Sequence, residues 1–329
     1  MTARIRRLRS GALATAIAAA GLGTGGVHDA LAQTKITTGV VAHAATQLSQ
    51  YWTTSSGCAK ENGIELDLVT AGGGGAQQLA VGALNVAQSG FPDFFRAIAQ
   101  GAPMRIFINN NSVPPYSVHA KAAHKKISDL KGKTISIGGV KDVTLIYMRP
   151  FLASAGLKTT DVDFIYAKAT ADRFTALNAG GVDAAILNPP ASFRADRLGF
   201  SNLGEISDYM KDYPFTVWTI NTTWAEKNKS AAVAFTRCHL RGIDWVYKPE
   251  NRDEAVAMII KFTKAERSDA EQSYDYLVKK LAAFSRDGIL SEAMFGRMKS
   301  GLVEMGDVQE PVPPLSRFFD ASYIEAAKK

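Results

Sequence analysis

The chain has 329 residues, 46% of them hydrophobic and 21% charged, and carries a formal net charge of +7. This length is ample for a large core and, at roughly 150 residues per domain, suggests two lobes. Basic and acidic residues alternate along the predicted helices, and no basic run is interleaved with aromatic residues, so the composition argues against a nucleic-acid partner.

The first 32 residues have the pattern of a secretory signal peptide. Four arginines precede an apolar segment at 11–22, and Ala30-Leu31-Ala32 supplies a cleavage signal. A membrane anchor is the alternative, but this segment is short and rich in Ala and Gly, and no later segment reaches the roughly 18 apolar residues of a span. Cleavage would remove four Arg and one Asp, leaving a net charge of +4. We expect a soluble protein in the periplasm.

Two cysteines, Cys58 and Cys238, remain after the predicted cleavage site. Export places them where disulfides form, but two buried thiols are an equally ordinary arrangement, and the sequence leaves the pairing open. No CxxC motif occurs and the five histidines are scattered, so we expect neither a metal site nor a cofactor.

The first half of the remaining chain alternates strands and helices. Apolar and β-branched segments predict strands at 35–41, 64–70, 84–90 and 104–108. Helical patterns fill the intervals at 44–62, 76–82 and 91–100, and Gly63 follows the first of these as a natural helix terminator. Strand–helix alternation of this kind favours a mostly parallel sheet with helices on both faces.

An extended segment at 109–122, with Pro114-Pro115 inside it, interrupts this alternation. A second α/β block follows, with strands predicted at 134–137, 162–166 and 182–188 and helices at 143–155, 171–178 and 191–198. Residues 214–221 again look extended, and the chain after Trp224 is almost wholly helical. The pattern predicts lobe one from 33–115 and 217–329 and lobe two from 116–216. Two crossovers would then form a hinge with a cleft between the lobes.

Ligands of open α/β sheets bind beyond the carboxyl ends of the strands, and this rule selects a set of cleft residues. The set combines glycines, neutral hydrogen-bonding side chains and flat aromatic rings, as a small-molecule pocket requires. Each member also has a plainer interpretation: the glycines may serve only as turns, Asp142 as a helix cap, and Trp218 as part of the core. The candidate ligand-binding residues are His43, Gln47, Gly73, Gly74, Ser89, Gly90, Phe91, Asp93, Asn110, Tyr116, Gly138, Gly139, Asp142, Val143, Thr144, Asn188, Pro189 and Trp218.

Several motifs resemble the solute-binding proteins of ABC importers, in particular the nitrate/sulfonate/taurine and thiamine-pyrimidine-precursor group. They are DLKGKTISIGG with the helix ending in FLASAGL, DVDFIYA, ALNAGGVDAAILNPP, and MRIFINNNSVPPYSVHA at the first crossover. The resemblance implies an α/β fold of the two-lobe periplasmic-binding-protein type (type II), in which each lobe is a mixed sheet flanked by helices. It also implies a monomer that binds a small molecule such as a sulfonate, an aromatic carboxylate or a pyrimidine. A permease and an ATPase would be its partners.

Two alternatives to transport remain. The protein could present its ligand to a membrane sensor, which the sequence does not distinguish from a permease. Enzymes of the aromatic-acid decarboxylase or desulfinase kind share the fold, and an acid–base pair of His43 and Asp93 can be imagined. We do not expect an enzyme, because Cys58 lies about four helical turns beyond His43 and too far from the cleft to act as a nucleophile.

Overall fold

Two five-stranded mixed β-sheets organise the chain. The computed structural model describes residues 33–329, so the predicted signal peptide at 1–32 lies outside the described residues. Within this range ten strands form: β1 (Thr34–Val40), β2 (Ile64–Thr70), β3 (Val86–Gly90), β4 (Met104–Asn109), β5 (Ser117–Ala120), β6 (Thr134–Ile137), β7 (Asp163–Tyr166), β8 (Ala184–Leu187), β9 (Ser201–Glu205) and β10 (Thr216–Asn221).

Each sheet combines parallel and antiparallel pairs. The first has the order β2-β1-β3-β10-β4; β1 is parallel to β2 and β3, whereas β10 runs antiparallel to both of its neighbours. The second has the order β7-β6-β8-β5-β9; β6 is parallel to β7 and β8, and β5 is antiparallel to β8 and β9. The parallel strands of each sheet therefore end at one edge, as the cleft prediction requires.

Helices cover both sheets. The α-helices found in residues 33–329 are α1 (Leu48–Ser55), α2 (Cys58–Glu61), α3 (Gly75–Ala80), α4 (Phe91–Ala99), α5 (Val143–Ala153), α6 (Thr170–Asn178), α7 (Ala191–Arg197), α8 (Thr222–Lys227), α9 (Lys229–Val246), α10 (Arg252–Thr263), α11 (Arg267–Tyr274), α12 (Glu292–Glu304) and α13 (Ser322–Ala327). A π-helical turn at Asp275–Lys280 continues α11. Over the described range, no helix is both long and apolar enough to cross a membrane.

The chain passes from the first sheet to the second between β4 and β5 and returns between β9 and β10. The predicted fold class, two mixed sheets flanked by helices with two crossovers, is confirmed. The exact lobe boundaries proposed from the sequence stay a prediction.

Two local predictions differ from the structure. The helix expected over 44–62 is broken into a 3₁₀ turn at Ala45–Gln47 followed by α1 and α2. Gly57 interrupts it with φ of +86°, a left-handed conformation that glycine adopts without strain. Strand β9 was not predicted, because SNLGE lacks the alternating apolar pattern from which strands are recognised.

A disulfide joins Cys58 at the start of α2 to Cys238 within α9, with 5.8 Å between the two Cα atoms. Both cysteines are buried. The bridge connects positions 180 residues apart and thereby links α2 to α9.

Candidate ligand-binding site

A cavity of about 490 Å³ lies between the two sheets. On the first-sheet side it is lined by the segments that follow β1 and end β3, and by the connection between α10 and α11. On the second-sheet side it is lined by residues at the starts of α5, α6 and α7, which follow β6, β7 and β8. The volume lies in the range of small-molecule pockets. The topology therefore concentrates polar loop residues of both sheets around one enclosed space.

Eight of the predicted residues line this cavity, and ten do not. Those in the wall are His43, Gln47, Ser89, Gly90, Tyr116, Asp142, Val143 and Asn188. Those outside it are Gly73, Gly74, Phe91, Asp93, Asn110, Gly138, Gly139, Thr144, Pro189 and Trp218. Whether the wall residues contact a ligand stays a prediction.

Trp218 and Asn110 belong to the interior of the first sheet instead of the cavity wall. Trp218 is 0% exposed, packs edge-on against Phe235, and donates from Nε1 to His239 Nε2 over 3.2 Å. Asn110 is fully buried and donates to Asn111 and Thr216. Trp218 lies within β10, two residues beyond the wall residue Thr216, where the strand has already entered the interior of the sheet.

The glycine pair after β6, Gly138 and Gly139, does not line the cavity, but Gly138 leaves room for the wall residue Asp142. Asp142 caps α5, as predicted, and its Oδ1 accepts from the Thr144 amide over 2.9 Å and from the Thr144 hydroxyl over 2.7 Å. The Gly138 amide donates to the Thr144 hydroxyl oxygen over 2.8 Å. A Cβ at Gly138 would lie 2.3 Å from Asp142 Oδ1. Glycine is therefore needed here so that the capping carboxylate can fold back against the strand end.

Lys168 joins carboxylates from the two sides of the cavity. Its Nζ lies 2.7 Å from Asp142 Oδ2 on the second-sheet side and 2.9 Å from Asp93 Oδ2 at the start of α4. Burial alone would lower the pKa of Lys168, but these two carboxylates raise it above its usual value. Burial would likewise raise the pKa of Asp142, whereas Lys168 and Thr144 hold it below its usual value. Lys168 and Asp142 are therefore held in their charged forms at neutral pH.

A second ion pair bridges the cavity near its rim. Arg197 at the end of α7 makes a bidentate contact with Asp269 in α11, with Nε–Oδ1 and Nη2–Oδ2 distances of 3.0 and 2.9 Å. Nearby, the Ala45 amide donates to the Pro189 carbonyl over 3.2 Å, so Pro189 joins the two sides through its backbone. These contacts and Lys168 connect the two sides of the cavity.

Aromatic rings form part of the wall. Tyr116 and Phe215, from the two crossovers, meet edge to face with centroids 5.1 Å apart, and Phe174 of α6 contributes a third ring. Such rings offer flat apolar faces to a ligand. Burial raises the pKa of Tyr116, which keeps its hydroxyl protonated.

Helix α6 begins at the wall, and its N-cap residue Ala169 supplies no capping side chain. Behind it, Arg173 is 1% exposed and donates to the carbonyls of Ala167, Lys168 and Ile186 and to the Thr170 hydroxyl, all within 2.8 Å. The guanidinium therefore fixes the loop from which Lys168 projects.

His43 lies in the wall with its Nδ1 3.4 Å from the Tyr51 hydroxyl, and partial burial lowers its pKa. Asp93 accepts from Ser89 and pairs with Arg96 and Lys168. Among the described hydrogen bonds none joins His43 to Asp93. Asp93, the acidic member of the hypothetical acid–base pair, is thus paired with residues other than His43.

Several wall residues escaped the sequence prediction, notably Gln88, Lys168, Arg197 and Asp269. Gln88 directly precedes the predicted Ser89 but lies in the middle of β3, where the strand-end rule does not select it. Lys168 follows β7 and obeys the same rule. Asp269 lies in a helical region with no strand end nearby, so only the packing of α11 against α7 reveals it.

Neither a metal cluster nor a free cysteine is found among the described residues. Across residues 33–329, no group of three or more His, Cys, Asp or Glu side chains is arranged to hold a metal ion. The chain's two cysteines are joined to each other, so neither is available as a nucleophile. The cavity offers paired charges, neutral amides, hydroxyls and aromatic faces.

Comparison with known families and structures identifies a family and proteins of the same fold. Residues 49–252 match the family model described as NMT1/THI5 like. No curated protein matches the sequence.

Solved structures share the fold at low sequence identity. The periplasmic nitrate-binding protein NrtA from Synechocystis PCC 6803 superposes with a TM-score of 0.77 at 14% identity, covering 90% of this chain and 89% of that one. The alkanesulfonate-binding protein SsuA from Xanthomonas axonopodis pv. citri, bound to MOPS, gives 0.71 at 15% identity, covering 88% and 99%. The desulfurization enzyme DSZB gives 0.66 at 14% identity, covering 90% and 99%. Binding proteins and an enzyme thus share the architecture.

Proposed function

The chain belongs to the NMT1/THI5-like family, and we propose that it is the solute-binding component of an ABC importer. It captures a small organic molecule between its two sheets and delivers it to a permease that is driven by an ATPase. The export pattern at 1–32 supports a periplasmic location. The nitrate- and sulfonate-binding proteins of the same fold support the transport role.

The observation that carries the proposal is the cavity itself. Its wall is contributed by both sheets, and three contacts around it, Lys168–Asp93, Arg197–Asp269 and Ala45–Pro189, connect the two sides. A molecule held there is buried by both halves at once. Affinity then comes from enclosure and from neutral polar groups that fix its orientation.

Catalysis receives no comparable support from the side chains. A desulfinase-like reaction would need a free cysteine, but both cysteines are in the disulfide. A decarboxylase-like reaction would need an acid–base pair, yet Asp93 is engaged by Lys168 and Arg96.

A thermal-shift screen tests the proposal. The exported protein is heated with sulfonates, aromatic carboxylates, pyrimidines, amides and polyamines, and the compound is recovered afterwards. We expect at least one compound to raise the melting temperature by mass action and to be recovered unchanged. A compound converted into product at substoichiometric protein, or no shift with any class, would contradict a binding role.

A further inference from the structure

Two carboxamide side chains, Gln88 of the first sheet and Asn188 of the second, line the cavity, and no side-chain hydrogen bond is described for either within residues 33–329. Gln88 is the middle residue of β3 and is 3% exposed; Asn188 follows β8 and is 5% exposed. Gln88 Nε2 is a buried donor with no partner in the described part of the chain. The other unpartnered buried polar atoms in residues 33–329 belong to residues outside this wall. An unpaired buried amide is unfavourable, so its position at a cavity points to a ligand that completes it.

Several charged groups in and behind the wall are already paired. Lys168 and Arg173 supply two positive charges, Asp93 and Asp142 two negative charges, and Lys168 contacts both carboxylates directly. The Arg173 donors are bonded to carbonyl and hydroxyl oxygens. Arg197 and Asp269 neutralise each other through two hydrogen bonds. Arg194 and Lys264 also line the wall, and no ion pair is described for either of them in residues 33–329. The unpaired amide of Gln88, and not a shortage of cations, is therefore the observation that favours an amide ligand over an acid.

The apolar part of the wall favours a flat molecule. Tyr116 and Phe215 are both nearly buried and meet at an interplanar angle of 81°. The uncapped start of α6 adds free backbone N–H groups from the second-sheet side, which suit a carbonyl oxygen.

We propose that the cavity selects an uncharged planar amide, such as a lactam, a cyclic ureide or a ring carboxamide, by pairing its amide edge with Gln88 and Asn188. The inference rests on the proposed binding function and names the ligand class. A carboxamide side chain presents a donor and an acceptor next to each other, which is the complement of an amide edge. Sites that contain such unpaired polar groups reject analogues that cannot pair with them.

A matched pair of ligands tests the class. Melting temperatures are measured with nicotinamide and nicotinate, which differ mainly in charge, and with uracil and hypoxanthine. We expect at least one of the amides to raise the melting temperature and nicotinate to have no effect.

Gln88→Leu and Asn188→Leu should each weaken binding of that amide at least about tenfold, because one buried hydrogen-bonding partner is lost. Gln77→Leu, at an exposed position on α3 outside the wall, should bind as the wild type does.

A second readout needs no ligand. Because Gln88 Nε2 is buried without a partner, Gln88→Leu should raise the melting temperature of the free protein by about 2–4 °C while it weakens binding. A fall in melting temperature would show that the amide is already satisfied, and would overturn the inference.

The remaining outcomes are also decisive. A larger shift with nicotinate than with nicotinamide, a shift that survives in both Leu variants, or no shift with any amide overturns the ligand class. If an acid binds and the amides do not, the ligand class is wrong but the proposed binding function stands. The absence of any shift across the wider screen would contradict that function itself.

Discussion

Lys168 shows how one residue can set the charge of a whole site. Its ammonium lies within 3 Å of two carboxylates that come from opposite sides of the cavity. Without it, two negative groups would face each other in a poorly hydrated space. The residue therefore contributes to stability and also removes free charge from the wall.

Lys168→Met should lower the free energy of unfolding at pH 7 by about 2–4 kcal/mol, because it leaves partly buried carboxylates unpaired. The native-state pKa of Asp142 is depressed, so its contribution is present above its unfolded pKa and is lost as the pH falls through the native value. Urea unfolding at pH 7 and below about pH 3 should therefore show a smaller difference between variant and wild type in acid.

Lys35→Met is the matched control, because the Lys35–Asp67 pair is exposed on both sides. Its effect should stay within about 0.5 kcal/mol at either pH. Equal effects of the two substitutions would refute the special role of Lys168.

His239 predicts a second pH dependence. Burial lowers its pKa to about 3, so the native imidazole stays neutral beside Trp218. The unfolded chain takes up this proton below a pKa of about 6.5, so stability should fall as the pH drops from there towards 3, by up to about 1.4 kcal/mol per pH unit. His239→Gln should remove this part of the slope in urea unfolding between pH 7 and 5. An unchanged slope would show that other groups cause it.

Single-residue predictions from the sequence succeeded where the cause is local. Asp142 was recognised as a helix cap because its partner Thr144 is two positions away. Lys168 follows a strand end and could have been selected by the same rule, but its ion pairs could not be predicted, because its partners lie 75 and 26 positions away and only the fold brings them together. The sequence assigned Trp218 to the cavity wall, but the structure places it in the core. Its position depends on the pairing of β10 with β3 and β4, which the sequence does not give.

At the scale of elements, the strands and the helices that follow them were largely predictable. The apolar segment of β6 coincides with its predicted range, and α5 begins at the predicted Val143. The predicted helix over 44–62 was wrong in its continuity, since Gly57 breaks it. The α10–α11 connection could not be assigned to the wall, because no strand end marks it and its place depends on packing against α7.

The link between α2 and α9 yields a prediction at this scale. Replacing Cys58 and Cys238 by Ser should lower the free energy of unfolding by about 2–5 kcal/mol, because the disulfide closes a long loop in the unfolded chain. Reductant should lower the melting temperature of the wild type and leave that of the double variant unchanged. Free thiols in the denatured, unreduced wild type would contradict the pairing.

At the scale of the whole molecule, the cavity belongs to neither sheet alone. Wall residues come from the strand ends of both sheets and from the crossovers, while ion pairs and a backbone hydrogen bond connect the two sides. Release of a bound molecule requires these contacts to separate, which suits a hinge motion about the two crossovers. Both the enclosure and the release of a ligand then depend on how the two sheets are positioned relative to each other.

Titration calorimetry of a compound found in the screen tests the central claim that this cavity holds the ligand. Ala171→Trp fills the wall at the start of α6, whereas Ala179→Trp places the same side chain at the exposed far end of that helix. We expect one molecule bound per chain in the wild type and in Ala179→Trp, with a negative heat-capacity change, and no binding in Ala171→Trp. Binding by Ala171→Trp with the wild-type dissociation constant would place the ligand elsewhere and contradict the account.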